Sequence, residues 1–199
     1  MVFTVNSKKI FILLFIIILI AIGLFIFFNN KGTKNFKIGN NTSSQEIVDY
    51  ILNINSYEAV IEVDVKSNKN ENKYKIKQVY KGKDNNSQEV LEPGNIAGVK
   101  LIKDENSLRL ENSNLGLTNI LQNYEYISDN ALDLSSFIED YKNNSNSKWE
   151  EKNDKIIMKT STKTLYINKE NGLPEKMKVQ DNDKKTAVYI LYNEVNVNS

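Results

Sequence analysis

The chain of 199 residues contains neither cysteine nor histidine. Thiol nucleophiles, disulfides, Cys/His zinc sites, Ser-His-Asp triads and the commonest general base are therefore excluded. What remains is carboxylate, lysine or tyrosine chemistry. Acidic residues stand close together at Asp104-Glu105, at Glu150-Glu151 and at Asp181 with Asp183. A working acid–base pair needs carboxyls that converge in a cleft with separated pKa values. Each of these pairs falls in a turn or on the exposed face of a strand, where neighbouring acids stay solvated. Asp181-Asn182-Asp183 matches part of a calcium loop, yet the spaced Gly and the distal Glu of an EF-hand are missing at the required offsets. Ordinary turn chemistry accounts for it. Gly94, Gly98 and Gly116 lack the spacing, and the following Lys-Ser/Thr, of a phosphate loop. The expectation is a chain without catalytic, cofactor-binding or metal-ligating residues, and so not an enzyme.

Aromatic side chains are the other candidate surface, because ten Tyr, eight Phe and one Trp raise the question of glycan stacking. Five Phe (Phe11, Phe15, Phe25, Phe27, Phe28) lie in one apolar run, and Phe3 and Phe36 flank it, which leaves Phe137 alone further on. Most tyrosines fall in strand-like segments, where half-burial is the default. Trp149 is expected in the core or at its rim.

The apolar run is Ile10 to Phe28, in which seventeen of nineteen residues are Ile, Leu or Phe and none is charged. As a helix it measures about 28 Å, close to the ~30 Å hydrocarbon thickness of a bilayer. Its insertion is favoured by about 7 kcal/mol. It ends Phe27-Phe28-Asn29-Asn30-Lys31 without a small-residue cleavage site. The absence of cysteine excludes the acylation that a lipoprotein signal directs. The expectation is an uncleaved signal-anchor over 10–28, marked by Ile10, Leu19 and Phe28, after a short leader over 1–9. Lys8 and Lys9 precede the run and Lys31, Lys34 and Lys37 follow it, so the cations leave orientation open. The short leader and the long following domain favour placing that domain outside the membrane.

Without Lys8 and Lys9 the 26 basic residues become 24, against 25 acidic ones, from Asn29 onward. That balance gives no general drive toward nucleic acid. Residues 29–44 (NNKGTKNFKIGNNTSS) read as a flexible tether. About 170 residues follow the run, ample for one core.

Ser43 and Glu46 form a capping-box pattern, with Ile47, Tyr50, Ile51 and Ile54 at helical spacing behind them. From Tyr57 the period becomes two, and 57–81 reads as a hairpin turning at 68–72. Further strands are expected at 87–91, 98–103 and 107–111. Helical spacings follow over 115–126 (Leu117, Ile120, Leu121) and 132–141 (Leu134, Phe137, Ile138, Tyr141), with Asp133 or Ser135 available to cap the second. Strands are expected again at 148–151, 155–160, 163–168, 174–180 and 184–197, with a turn at Asn171-Gly172. The order predicts an α+β domain whose curved antiparallel sheet folds over helices filling its concave side.

The segments Tyr74-Lys75-Ile76-Lys77-Gln78-Val79-Tyr80-Lys81-Gly82, Glu89-Val90-Leu91-Glu92-Pro93 and Ile96-Ala97-Gly98-Val99 resemble the core of lipoprotein-carrier (LolA-like) domains. Within that group they are most similar to the GerS-related germination lipoproteins of endospore formers. Gly172-Leu173-Pro174-Glu175-Lys176-Met177 and Tyr189-Ile190-Leu191-Tyr192-Asn193-Glu194-Val195 resemble the family's closing hairpin. The resemblance spans about 45–197 and implies an incomplete β-barrel wrapped over helices. It further implies a non-catalytic envelope protein that binds a protein partner, a spore-cortex amidase being the expected kind, in the forespore or mother-cell membrane. The alternative it implies is lipid or lipoprotein binding in the apolar concavity. Candidate partner or cavity residues are Tyr80, Leu91, Pro93, Ile96, Phe137 and Tyr141. The missing lipobox Cys departs from GerS, and the 10–28 helix then takes over membrane attachment.

Overall fold

The computed structural model describes residues 42–66, 71–82, 85–104, 107–112, 114–122, 132–180 and 187–197. The expected anchor residues Ile10, Leu19 and Phe28, the leader and most of the tether lie outside them. Among the described residues no helix is long and apolar enough to cross a membrane.

Helix α1 (Ser44–Leu52) starts where the capping box places it. The Ser43 hydroxyl accepts from the Glu46 N–H at 3.3 Å, and the Glu46 carboxylate accepts from the Ser43 N–H at 2.8 Å. Strands β1 (Tyr57–Lys66), β2 (Glu71–Tyr80), β3 (Asn85–Glu92), β4 (Val99–Asp104), β5 (Ser107–Asn112) and β6 (Leu117–Gln122) follow. Helix α2 (Leu134–Asn143) precedes β7 (Lys148–Lys152), β8 (Lys155–Lys159), β9 (Lys163–Asn168), β10 (Pro174–Gln180) and β11 (Ala187–Val197).

Among the described residues the eleven strands form one antiparallel sheet in the order β6-β5-β4-β3-β2-β1-β11-β10-β9-β8-β7, with β6 and β7 as its two edges. β1 sits at the centre, and its alternation puts Tyr57, Ala59, Ile61 and Val63 on the buried face. Three register shifts leave Asn193, Leu91 and Glu175 as extra residues against β1, β2 and β9. Each such bulge bends its strand and raises the local twist, which curves the sheet without closing it.

Both helices pack on the inner face. Ile47, Val48 and Ile51 of α1 and Leu134, Phe137 and Ile138 of α2 join Ile61, Val63, Ile156, Met158, Leu165, Ile167, Met177 and Ile190 in one core. A fully buried Phe or Leu contributes about 1.5–3 kcal/mol. The core thus lies over β1, β2 and β8 to β11. The inner face of β4 to β6 is only partly covered.

One expected element is different: 117–122 forms strand β6 and not part of a helix. Leu117 and Leu121 share a face in either period, so their spacing does not discriminate. Pairing with β5 resolves it, since Leu117 lies opposite Asn112 and Ile120 opposite Arg109, on the other face. A tight connection leads into that pairing, with the Leu115 N–H bonded to the Asn112 carbonyl and Gly116 at φ 63°. Residues 123–126 lie outside the described residues, and among the described ones α2 supplies the expected second helix. Asp133 is its N-cap residue, but the side chain makes no capping bond.

Candidate functional site

Of the acidic pairs, Glu150-Glu151 is committed to ion pairs and a hydrogen bond. Glu150 bonds Lys159 at 2.6 Å, while Glu151 accepts from Lys169 at 2.5 Å and from Ser44 at 2.5 Å. The Lys159 bond holds the Glu150 carboxyl below its usual range, and the Lys169 bond does the same for Glu151. Asp104 is exposed, whereas Glu105, Asp181 and Asp183 lie outside the described residues. Among the described residues no three acidic side chains group as a metal ion would require. Trp149 is partly buried against the core.

Sequence spacing gave no sign of two polar constellations on the inner face. In the first, the buried ammonium of Lys163 (β9) donates to Ser136 Oγ at 2.7 Å and pairs with Asp140 at 2.7 Å, both on α2. The bond runs from lysine to serine, opposite to the transfer a lysine base performs on a seryl hydroxyl. The contact instead clamps one face of α2 to the sheet.

The second constellation centres on Asp133. Its Oδ1 accepts from Gln88 Nε2 (β3) at 2.6 Å and from Gln78 Nε2 (β2) at 3.2 Å. Gln78 also donates to the Leu132 carbonyl at 3.3 Å. The first N–H of α2, from Leu134, donates to the Tyr57 hydroxyl at 3.1 Å, and that hydroxyl faces Gln78 Oε1 at 3.5 Å. The Tyr57 ring stacks on Tyr80 with centroids 5.4 Å apart. The Asp133 residue keeps some surface, yet its carboxyl group turns inward. Burial pushes that carboxyl up to about 6, against the opposing pull of the Gln88 bond and the charges of Lys103 and Lys163. Tyr192 OH is buried nearby, without a hydrogen-bond partner among the described residues. Burial, and then the Asp133 charge, push its phenol far up.

This node divides the inner face. On one side α1 and α2 fill the concavity: Phe137 is 0% exposed, and Tyr141 lies against it with ring centroids 5.9 Å apart. On the other, Leu110, Leu117 and Leu121 remain 43%, 61% and 37% exposed. Ile120 is 54% exposed on the opposite face of β6. Neither constellation presents a nucleophile with a base poised to activate it, whereas the open side is an apolar surface. Of the remaining expected residues, Tyr80 is half-buried at the end of β2. Leu91 is the bulged residue of β3, Pro93 is exposed beside it, and Ile96 is half-buried in the turn before β4.

Solved structures similar to this chain include a conserved protein from Thermus thermophilus, 13% identical, covering 79% of this chain and 89% of that one with a TM-score of 0.48. A LolA superfamily protein from Nitrosomonas europaea is 12% identical, covering 79% and 94% of the two chains with a TM-score of 0.41. A chain in the complex of the CwlD amidase from Clostridioides difficile with the GerS lipoprotein is 22% identical, covering 80% and 95% with a TM-score of 0.42. No curated protein matches the chain in sequence. The family model for YdcC-like sporulation proteins matches residues 7–199, and the chain belongs to that family.

Proposed function

We propose that this chain is a membrane-anchored, extracytoplasmic, non-catalytic protein that acts in sporulation by binding a protein partner in the cell envelope. Residues 10–28 serve as the anchor, 29–44 as the tether and 45–197 as the binding domain. An amidase is the first partner to test. The observation that supports this reading is β6, which among the described residues is an edge strand of the sheet. β6 (LTNILQ) carries no charge and no proline, and its apolar side chains are exposed on both faces. The opposite edge, β7 (KWEEK), is charged at four of five positions and engaged in ion pairs. Soluble proteins blunt exposed edges with charge, as β7 does. An edge left apolar fits an extended polypeptide, which supplies backbone hydrogen bonds as well as apolar side chains. A lipid supplies only the apolar part, and where an acyl chain would lie under the helices Phe137 and Ile138 already fill the space. Leu91, Pro93 and Ile96 are candidate contacts around the β3–β4 connection.

The test is photo-crosslinking in sporulating cells from position 119, between Leu117 and Leu121 on the same face of β6, with identification of the attached species. An envelope protein captured by the wild type, and lost from the Leu117→Lys/Leu121→Lys variant at unchanged melting temperature, is the expected result. Stoichiometric lipid with no captured protein overturns the reading.

A further inference from the structure

The outer face of the sheet, on the side away from the helices, carries an uneven charge toward the β7 edge. Strand register sets its side chains in rows across β7 to β10: Lys148, Lys159, Thr164 and Lys178 in one, Glu150, Ile157, Tyr166 and Lys176 in the next. A third row begins with Lys152 and Lys155. Lys148 thus lies directly opposite Lys159, and Lys152 directly opposite Lys155. Like charges so placed destabilise a hairpin, so its own folding disfavours both pairs.

The acids of this face answer only part of that charge. Glu150 pairs with Lys159 at 2.6 Å, and Glu175, the bulged residue of β10, pairs with Lys155. Among the described residues Lys148, Lys152 and Lys178 have no carboxylate partner. Asp154 and Glu170 stand in the turns beyond the Lys152 end of the strands. At the other end the chain is uncharged beside Lys148 and Lys159, over 143–147 and 160–162. Toward β11 and β1 the charge becomes balanced, because Asp64 and Glu62 continue the first two rows. Ile157 and Tyr166 lie opposite each other between the lysines, both partly exposed. Three rows over four strands cover about 14 Å by 14 Å.

Connectivity decides what this patch can meet. The Ser44 hydroxyl, at the start of α1, donates to Glu151 of β7 at 2.5 Å, so residues 29–44 join the domain beside β7. Those sixteen residues span at most about 55 Å when fully extended. All the cations of the patch are lysines, flexible point charges that suit a diffuse negative surface better than bidentate capture of one carboxylate. Attraction to anionic headgroups needs only approach within a Debye length, about 8 Å.

From this arrangement we propose that the outer face of β7 to β10 docks on an anionic phospholipid surface, with Lys148, Lys152 and Lys178 at the headgroup phosphates and Ile157 and Tyr166 between them. The docking rests on the anchor proposed for 10–28. It is independent of a protein partner at β6, on the opposite edge of the sheet.

The experiment places the full chain in lipid nanodiscs of phosphatidylcholine, alone or with about 30% phosphatidylglycerol, and measures acetylation of each lysine by peptide mass spectrometry. Lys148, Lys152 and Lys178 are expected to be protected about threefold in the anionic discs, with Lys73 and Lys77 on β2 unchanged and the protection lost in about 0.5 M salt. Lys155, protected with them, is labelled equally in both discs in the Lys148→Gln/Lys152→Gln/Lys178→Gln variant, whose melting temperature does not fall. Equal labelling of the three lysines in both discs, or the same protection at Lys73 and Lys77, overturns the proposal. So does equal protection by soluble polyglutamate in phosphatidylcholine discs, which assigns the patch to an acidic polypeptide. A chain that fails to enter phosphatidylcholine discs removes the anchor, and the docking with it, and leaves the β6 partner untouched.

Discussion

Asp133 shows how one side chain can serve architecture at a thermodynamic cost. Enclosure raises its carboxyl from an ordinary 3.8 to about 6, so the folded chain holds a proton that the unfolded chain has released. For a carboxyl shifted upward, the favourable contribution is fully present below the unfolded value and is lost as pH rises through about 6. That rise in the carboxyl's value corresponds to about 3 kcal/mol. Above pH 6 the buried charge therefore weakens the fold, although Gln88 and Gln78 moderate the loss. Asp133→Asn keeps an acceptor for both glutamines and removes the charge. The expected outcome is a variant more stable than wild type at pH 7.5, by up to about 3 kcal/mol, with the difference shrinking toward pH 4. Urea midpoints across that range measure it, and a difference independent of pH would rule out the buried carboxylate as its source.

Turns and edges do at the level of elements what Asp133 does for one helix end. The β7–β8 connection is two residues, Asn153 and Asp154, at φ 50° and 56°. That is the backbone of a type I′ turn, which matches the right-handed twist of the flanking strands and favours Asn-Gly. Aspartate tolerates the left-handed region less well than glycine does. Asp154→Gly is expected to stabilise the chain by about 0.5–1 kcal/mol in thermal or urea unfolding, and a destabilised variant would refute the turn assignment. The capping box, the Asn171-Gly172 turn and the central alternation were legible in the sequence, because each is a local rule with its own residue signature. The expected turn at 181–183 and most of that at 68–72 lie outside the described residues. The segment 115–126 was not legible. Its Leu117 and Leu121 satisfy both periods, and only pairing with β5, a contact that the segment does not itself encode, makes it a strand.

For the whole molecule, the proposed anchor separates attachment from recognition. If the 10–28 helix spans the bilayer, the full chain stays with membranes through an alkaline carbonate wash, and a chain beginning at Asn29 is released. Release of the full chain by that wash would sink the anchor. The domain behind it presents two faces with different chemistry. Its inner face is helix-filled on one side and apolar on the other, and its outer face is charged and striped. Neither surface could be assigned from composition, since the near-balance of acids and bases conceals how they are sorted. β1 is acidic, and β2 and β10 are basic, across the same face.

Exclusions and local periods were within reach of the sequence: no thiol or imidazole chemistry, a bilayer-length run, strands in antiparallel succession and an α+β order. These follow from composition and from neighbours a few residues apart. Folding alone sets which surfaces remain uncovered. Asp133 meets Gln78 and Gln88 across 55 and 45 residues of chain, and Lys176 and Lys178 meet Tyr189 through a hairpin register. Such juxtapositions depend on bulges and strand order. A one-residue slip in pairing would turn every one of those side chains to the other face.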